Sequence, residues 1–260
     1  MANQSAGVSV VSRAVKLLEA FDAGVRDLSA TQIASRADLP LTTAHRLLGE
    51  LTEVGLLEKL PNRRYRIGLK LWEIAVRTPG ALGIREIATP ALRAAHRLIG
   101  QHVQLSVLQE GDTLYLERLS APNAVINLTI IGGRLPFTAT SSGHVLVAFS
   151  EPSLQEQLIQ RPRPRSRFVP SFSNDELAER LRVVRRQGYE IAHGYIHPDA
   201  TSLAVPVFGP LSDVVASVSA VVPTEDVREE AVLATLQGAA HQIRTALTRH
   251  YSGRNNAEQQ

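Results

Sequence analysis

Apolar residues recur at intervals of three and four in the first part of the chain, which is the spacing of one helix face. This pattern predicts a first helix over residues 8–23, and the members of its apolar face are Val11, Ala14, Val15, Leu18 and Phe21. Ser29 is a good N-cap for a second helix, which is predicted to reach about Ala37. A third helix is predicted to begin near Leu41, and Gly55 ends it.

The third predicted helix lies in LPLTTAHRLLGELTEVG, residues 39–55, and has two unlike faces. Its apolar side holds Leu41, Ala44, Leu47, Leu48 and Leu51. Its opposite side holds Thr42, Arg46, Gly49 and Glu53, with Thr43 and His45 on the two flanks. A single amphipathic helix of this kind is commonly a surface helix with a solvated polar face. The short helix just before it, however, indicates a helix-turn-helix arrangement.

The residues after Gly55 read as a hairpin and then a further helix. In LLEKLPNRRYRIG, two strand-like runs flank Pro61 and Asn62. Residues 69–77, within GLKLWEIAVRT, then favour a helix, and the Pro79-Gly80 pair is the best linker candidate.

The second part of the chain alternates strands with helices. A helix is predicted over residues 85–100, and VQLSVLQ and TLYLERL form a hairpin around EGD. NAVINLTII is predicted as another strand, and TSSGHVLVAF as a short helix. Ser173 caps a helix over NDELAERLRVVRRQG, with Glu176 completing a capping box. The runs YEIAH, SLAVPVF and VVASVSAVV read as strands before a long helix over residues 224–251, so an α+β fold is predicted.

Composition limits the class of protein without identifying it. The 260 residues are 44% hydrophobic and 20% charged, and no cysteine is present, which excludes disulfides and thiol chemistry. There is no apolar run long enough for a membrane span and no signal-like N-terminus, so a cytoplasmic protein is expected. Residues 1–77 hold 11 Lys and Arg against 8 Asp and Glu, whereas residues 78–260 hold 17 of each. The positive excess lies entirely in the first third, where it suits contact with phosphates.

The chemistry of that first third favours contact with nucleic acid. The first turn of the third helix carries Thr, Thr, His and Arg, which can all donate to bases or phosphates. The hairpin that follows is basic, with Lys59, Arg63, Arg64 and Arg66. A basic wing beside a recognition helix forms a phosphate clamp.

The segments SVVSRAVKLLEAF, LSATQIASRADLPLTTAHRLLGELTEVGLLEK and RRYRIGLKLWEIA together resemble the N-terminal domain of the IclR family of bacterial transcriptional regulators. LPFTATSSGHVLVAF, RRQGYEIAHG, TSLAVPVF and VVASVSAVV resemble the later segments of that family in the expected order. The resemblance implies a winged helix-turn-helix in residues 1–68 and a linker helix and hinge in residues 69–82. It further implies a GAF-like effector domain, with a mostly antiparallel sheet flanked by helices, in residues 83–252. Residues 253–260 are expected to be a disordered tail.

The resemblance also implies DNA contacts. Thr42, Thr43 and Arg46 should enter the major groove, with His45 near its edge and Arg46 able to read a guanine. Lys59, Arg63 and Arg64 should hold phosphates, although Lys59 could equally be a solvated hairpin residue. Ser29, at the start of the second helix, is also counted among the DNA-facing residues. The expected partner is double-stranded operator DNA, bound by a homodimer or a dimer of dimers.

An effector pocket for a small organic acid is the second implication. By position it should contain Ser141, Ser142, Gly143, Ser202, Ser217 and Ser219, with apolar walls from Leu128, Ile130 and Leu135. A helix N-terminus attracts a carboxylate, which supports the first three. Serines in buried strands, on the other hand, often only bond to neighbouring backbone.

The chain departs from the family pattern inside that predicted pocket. Family members frequently have cysteine at the place of Ser202 and an acidic residue at the place of Ala192 and His193. Loss of the acid removes negative charge from the pocket. We therefore expect an effector unlike glyoxylate or pyruvate, namely an aromatic or larger carboxylic acid. No cofactor and no metal are expected.

Two other functions compete with this interpretation. No GxSxG, Walker A, GxGxxG or HExxH motif is present, so an enzyme would have to be metal-dependent and use His193 and His197. Gly194 and Pro198 make a helix there improbable, and scattered loop histidines are the better interpretation. The other alternative is a ligand-binding or interaction protein that does not bind DNA, against which the basic wing argues. RPRPRSR, residues 161–167, is expected to be a solvated basic loop.

Overall fold

The computed structural model describes residues 9–21, 25–75, 81–162, 171–225 and 227–257. The chain divides into two compact units, Met1–Pro79 and Gly80–Gln260. No described helix has the length and apolar character needed to cross a membrane. The predicted Pro79-Gly80 linker and most of the basic loop, residues 163–167, lie outside the described residues.

The first unit contains a helix-turn-helix, as predicted. Its helices are α1 (Val10–Glu19), α2 (Ala30–Arg36) and α3 (Leu41–Glu53). Ser29 and Gln32 form a capping box, each side chain bonded to the backbone N–H of the other, and this fixes the start of α2. Gly55 has φ +79°, a left-handed conformation that glycine adopts without steric cost, and the chain turns there after α3.

These helices share one apolar core with the hairpin that follows. Its buried members include Leu17, Ile33, Ala44, Leu47, Leu48, Leu51, Leu57 and Tyr65. Leu41 was predicted on the buried side of α3 but is 43% exposed. A helical side chain covers the turn that precedes it, and Leu41 is the first residue of its helix, so it has no preceding turn to cover.

The predicted hairpin is the wing of a winged helix. Strands β1 (Leu28–Ser29), β2 (Leu57–Lys59) and β3 (Arg64–Ile67) form an antiparallel sheet in the order β1-β3-β2. Helix α4 (Leu69–Ala75) follows the wing. It was predicted over residues 69–77, of which the last two lie outside the described residues.

The second unit is built on an antiparallel sheet flanked by helices, as predicted, and the sheet has six strands. The strands are β4 (His102–Gln109), β5 (Asp112–Leu119), β6 (Arg134–Pro136), β7 (Glu190–His193), β8 (Ala200–Phe208) and β9 (Val214–Pro223). Their order is β6-β5-β4-β9-β8-β7. β4 and β5 form the predicted hairpin, which turns at Glu110 and Gly111, both with positive φ.

Helices cover both faces of this sheet. They are α5 (Ala81–Ile99), α6 (Ser141–Ala148), α7 (Pro152–Gln160), α8 (Asn174–Gln187) and α9 (Glu229–Ala257), with a short 3-10 helix (Phe137–Ala139) before α6. Residues such as Leu105, Leu203 and Val218 pack with α5 and α9, whereas Ala204 packs on the other face with α6 and α8. Successive side chains of a strand point to opposite faces of the sheet, so these two cores lie on opposite sides of it.

The predicted strand NAVINLTII is wrong, since residues 120–133 have no regular structure. Backbone groups of this segment are hydrogen-bonded to side chains of β4, of β5 and of the residue before β4. The N–H of Val125 donates to Gln101 Oε1 at 3.0 Å, its carbonyl lies 2.6 Å from His102 Nε2, and Arg118 donates to the carbonyl of Thr129. The position beside β5 is taken instead by β6, which the sequence did not predict.

Two helix predictions also require correction, and one helix was missed. α5 begins at Ala81, four residues before the predicted start, and α7 was not predicted. α9 begins at Glu229 rather than 224 and continues to Ala257, so residues 253–257 are helical and not the expected disordered tail.

Candidate DNA-binding surface and effector cavity

The exposed face of α3 carries the side chains that were predicted to meet DNA. Thr42, His45 and Arg46 are exposed and Thr43 is partly buried, while the apolar stripe beneath them is covered by the core. Their contacts with bases stay a prediction. Their positions follow directly from the helical period.

Arg46 is not free in this structure, because its guanidinium forms an ion pair with Glu50 one turn later on α3. The two side chains are 55% and 53% exposed. A pair this exposed contributes little to stability and can be exchanged for another partner. Arg46 is therefore held over the helix surface, where a guanine or phosphate would compete with Glu50.

The basic residues of the wing have different environments. Arg63, in the turn, is exposed at φ +60° and has no ion pair within the part of the chain that the structure describes. Lys59 lies over the ring of Tyr65, with Nζ 5.9 Å from the ring centroid. Arg66 donates to both carboxylate oxygens of Glu58 on the neighbouring strand, at 2.8 and 2.9 Å. Of these residues, Arg63 and Lys59 are available to phosphates.

Arg64 differs from its predicted role. Its Nη2 donates to the carbonyl oxygen of Asp27 at 2.8 Å, and its Nε contacts the carboxylate of the same residue. Two of the three guanidinium nitrogens are therefore bonded within the protein, and they tie β3 to the segment before β1. Ser29 is similarly committed, since its hydroxyl accepts from the Gln32 N–H at 3.2 Å as the cap of α2.

A cavity lies in the second unit, on the face of the sheet that carries α6 and α8. Its floor includes Gln104 of β4, Tyr115 of β5 and Ser202 of β8. Its sides are residues 126–129, Ser141 at the start of α6, and residues 195–197. The polar groups thus come from separate elements and converge on one mostly apolar space, the usual form of a small-molecule site.

Two hydroxyl groups meet in the cavity at the start of α6. Ser141 Oγ and Ser202 Oγ are 2.5 Å apart. The N-terminus of a helix carries partial positive charge, so the start of α6 favours an anion beside these hydroxyls. The N–H of Gly143 is already occupied, because it donates to the hydroxyl of the N-cap Thr140 at 2.9 Å.

Of the predicted effector residues, Leu128, Ser141 and Ser202 line this cavity and the other six do not. Ser142 is buried, and a Cβ at Gly143 would lie 2.3 Å from the carbonyl oxygen of Phe137, so this glycine permits close packing. Ser217 donates to the carbonyl of Val205, as the structural alternative predicted for such serines. The remaining three residues outside the lining are Ser219, Ile130 and Leu135.

Several lining residues were missed by the sequence interpretation. They include Gln104, Tyr115, Asn127, Thr129 and Tyr195. Gln104 gave one signal that could have been used, because it is a polar residue in the middle of the apolar run HVQLSV. A buried glutamine needs partners for both its oxygen and its nitrogen, which indicates a polar site on that face.

Tyr195 links the cavity to a buried charged cluster. Its ring centroid lies 5.3 Å from the guanidinium of Arg180 and 5.9 Å from the ring of His144. Arg180 donates to Glu190 at 2.6 Å, and Glu190 also lies 3.1 Å from His144 Nδ1. Burial raises the pKa of Tyr195 to about 12, so the phenol is neutral. Its hydroxyl is buried and has no hydrogen-bond partner among the described residues.

The histidines considered for a metal site have other contacts. His193 Nδ1 lies 3.1 Å from Thr201 Oγ1, and His197 Nδ1 lies 3.8 Å from the Asp199 carboxylate. Within the described ranges no group of three or more acidic or histidine side chains is arranged to hold a metal ion.

A winged helix-turn-helix followed by a sheet domain, whose mostly apolar cavity holds a few converging polar groups, is the arrangement of a ligand-responsive transcriptional regulator. Residues 10–61 match the model of the IclR helix-turn-helix domain, and residues 77–245 match that of the bacterial transcriptional regulator IclR C-terminal domain. The chain belongs to the IclR family of bacterial transcriptional regulators. Domains of this C-terminal type bind small-molecule effectors.

Individual relatives agree with this assignment along nearly the whole chain. XynR, an HTH-type transcriptional regulator of Escherichia coli strain K12, is 31% identical over 245 residues, covering 93% of this chain and 96% of XynR. A crystal structure of an IclR homolog from Microbacterium hydrocarbonoxydans, complexed with 4-hydroxybenzoate, is 38% identical with a TM-score of 0.84, covering 92% and 99% of the chains. An IclR homolog from Microbacterium sp. strain HM58-2 is 37% identical with a TM-score of 0.60, covering 92% and 98%.

Proposed function

We propose that this regulator changes its affinity for operator DNA when an aromatic carboxylic acid, such as a hydroxybenzoate, occupies the cavity of the second unit. The observation that carries the proposal is the meeting of Ser141 and Ser202 hydroxyls at the N-terminus of α6, inside a cavity with tyrosine and aliphatic walls. The protein acts by binding, and no catalytic step is assigned to it.

The carboxylate of the ligand is placed at the Ser141 and Ser202 hydroxyls. Hydroxyl donors and a helix N-terminus stabilise a negative charge there. The ring would lie against Tyr115, Leu128 and Val221. The 4-hydroxybenzoate complex of the Microbacterium hydrocarbonoxydans homolog supports this ligand class, since that protein is 38% identical to this chain.

Operator recognition is assigned to α3 and the wing. Thr42, Thr43 and Arg46 would read base edges in the major groove, with His45 at its edge. Arg63 and Lys59 would bind phosphates from the wing, which fixes orientation without carrying sequence information.

Assembly as a homodimer or a dimer of dimers is part of the proposal. α4 has no buried residue, and its Leu69 and Trp72 are exposed, as is Val11 on α1. Leu69 and Trp72 lie one turn apart on α4 and so form one exposed apolar patch, of the kind that a second subunit covers. A dimer would place two recognition helices on two half-sites, and a regulator of bacterial operators would work in the cytoplasm.

Fluorescence anisotropy with the DNA upstream of the protein's own gene tests the proposal. Titration with benzoate, 4-hydroxybenzoate, pyruvate, a sugar and an amine should change DNA affinity only with the aromatic acids. Tight DNA binding that responds only to a sugar or an amine would exclude the ligand class. Binding of aromatic acids without any affinity for DNA would favour the alternative of a ligand-binding protein without a DNA role.

A further inference from the structure

We infer that Asn127, which lines the cavity, is a ligand-recognition residue whose side-chain N–H group, unpaired within the described ranges, binds an acceptor oxygen of the effector other than its carboxylate. The inference rests on the proposed function and adds a second polar contact to it. It stands on a directional chain of hydrogen bonds that begins at Ser219 in the centre of the sheet and ends at Asn127.

The chain begins at two residues that face each other across the sheet. Gln104 of β4 and Ser219 of β9 are register partners, and each is 1% exposed. The hydroxyl of Ser219 donates to Gln104 Oε1 at 3.3 Å. The side-chain nitrogen of Gln104 then donates to the hydroxyl oxygen of Thr129. Ser219 therefore acts on the cavity through Gln104 and not by contact.

The second half of the chain fixes the amide of Asn127. Thr129 donates twice to Asn127 Oδ1, from its backbone N–H at 2.9 Å and from its hydroxyl at 2.8 Å. A backbone N–H can only donate, so the atom that faces it must be the amide oxygen. With the oxygen of Asn127 fixed in this way, the Thr129 hydroxyl must donate to it. The Thr129 oxygen can then accept from the side-chain nitrogen of Gln104, which fixes the orientation of the Gln104 amide.

Asn127 Nδ2 is the donor at the end of this chain of hydrogen bonds, and it is left without an acceptor in the part of the protein that the structure describes. It is buried, it has no hydrogen-bond partner among the described residues, and Asn127 lines the cavity. A buried N–H group without an acceptor is costly, and a ligand oxygen would remove that cost. Because the carboxylate is assigned to Ser141 and Ser202, the oxygen that meets Asn127 belongs to another substituent of the ring.

A matched pair of ligands isolates this contact. 4-Methoxybenzoate and 4-ethylbenzoate have similar shapes, but only the methoxy oxygen accepts a hydrogen bond. In calorimetric titrations of the full-length protein, we expect 4-methoxybenzoate to bind about tenfold more tightly than 4-ethylbenzoate. The carboxylate contributes equally to both ligands and cancels in the ratio of their Kd values.

Asn127→Asp is the informative variant, because one carboxylate oxygen keeps both bonds from Thr129 while the other replaces the Nδ2 donor. We expect weaker binding of both acids and loss of the tenfold ratio. Asn123→Asp, in an exposed position of the same segment, is the control for the added charge and should keep the ratio. Gln104→Glu should lower the ratio partly. Its carboxylate would accept the hydrogen bond that the Thr129 hydroxyl otherwise donates to Asn127.

The outcomes separate the two proposals. If wild-type protein binds none of the benzoates, the proposed ligand class falls and this inference falls with it. If both acids bind and Asn127→Asp leaves their Kd ratio unchanged, the role of Asn127 is overturned while the ligand class stands. Loss of the ratio in Asn127→Asp and not in Asn123→Asp supports the inference. Should Asn127→Asp fail to fold, Gln104→Glu decides by the same ratio.

Discussion

Arg64 is bonded to both the carboxylate and the backbone carbonyl of Asp27, and this pair joins the wing to the segment that precedes β1. The preceding residue, Arg63, is exposed in the wing turn and forms no ion pair within the described part of the chain. Two adjacent arginines of the motif RRYR therefore have different roles: Arg64 stabilises the wing, and Arg63 is presented to solvent.

Arg63→Ala should weaken binding to every DNA sequence by a similar factor. The side chain is assigned to a phosphate, and loss of one phosphate contact lowers the slope of log affinity against log salt concentration by about 1. Anisotropy titrations of operator and unrelated DNA at several salt concentrations measure this. Thermal stability should not change. A loss confined to the operator would contradict the assignment.

Arg64→Ala should lower the thermal stability of the DNA-binding unit, by about 1 kcal/mol for a partly exposed charged pair. Any loss of DNA affinity in Arg64→Ala should result from the disturbed wing. The double variant Asp27→Asn with Arg64→Gln has a neutral pair that can still form a hydrogen bond, so its DNA affinity should be close to that of wild type. Thermal unfolding followed by circular dichroism provides the measurement. An unchanged melting temperature with weakened DNA binding would mean that Arg64 contacts DNA directly.

Glu50→Gln should tighten operator binding several-fold by releasing Arg46 and removing a negative charge near the DNA. Glu53→Gln is the matched control, because it removes the same charge from an exposed position of α3 without touching the Arg46 pair. Arg46→Ala should instead relax specificity at one base pair, by about 1–3 kcal/mol. Binding measured against an operator series with single base-pair changes distinguishes these results; equal effects of Glu50→Gln and Glu53→Gln would count against the ion pair as the cause.

The parts of the fold that were predicted from sequence are those with local causes. α3 follows from its apolar period, the start of α2 from the Ser29 cap, and the wing turn from Pro61 and Asn62. Residues 120–133 were mispredicted because their backbone partners are side chains distant in sequence. The family resemblance, supported by the helix N-terminus, placed Ser141 in the predicted pocket. Only the sheet register brings Gln104 and Ser219 together, and register is not visible in composition or spacing.

Ser202→Ala should weaken binding of aromatic acids about tenfold, because it removes one of the two hydroxyl groups that are assigned to the carboxylate. Ser106→Ala is a useful control. Ser106 is also a buried serine of the sheet, but its hydroxyl has no partner among the described residues and it does not line the cavity. Its substitution should leave affinity unchanged and stability equal or higher. Equal losses in both variants, measured by calorimetry, would remove Ser202 from the site.

His102 makes stability depend on pH through the segment beside the cavity. Its Nε2 lies 2.6 Å from the carbonyl of Val125, and since a carbonyl only accepts, Nε2 carries the proton and Nδ1 accepts from Ser120 at 2.9 Å. Burial lowers the pKa of His102 below its ordinary value of 6.5, with Arg118 and His96 acting in the same direction against the Val125 bond. The folded protein therefore favours the neutral imidazole.

The sign of the effect follows from proton uptake. Between the lowered folded pKa of His102 and 6.5, the unfolded chain binds more protons than the folded chain, so stability falls as the pH drops through this window and is fully present above it. His102→Gln keeps a donor for Val125 but does not titrate. Its melting temperature should fall less than that of wild type between about pH 7.5 and about pH 5.5. His241→Gln, on the exposed side of α9, should keep the wild-type pH dependence, and an identical dependence in all three proteins would show that His102 does not titrate in this range.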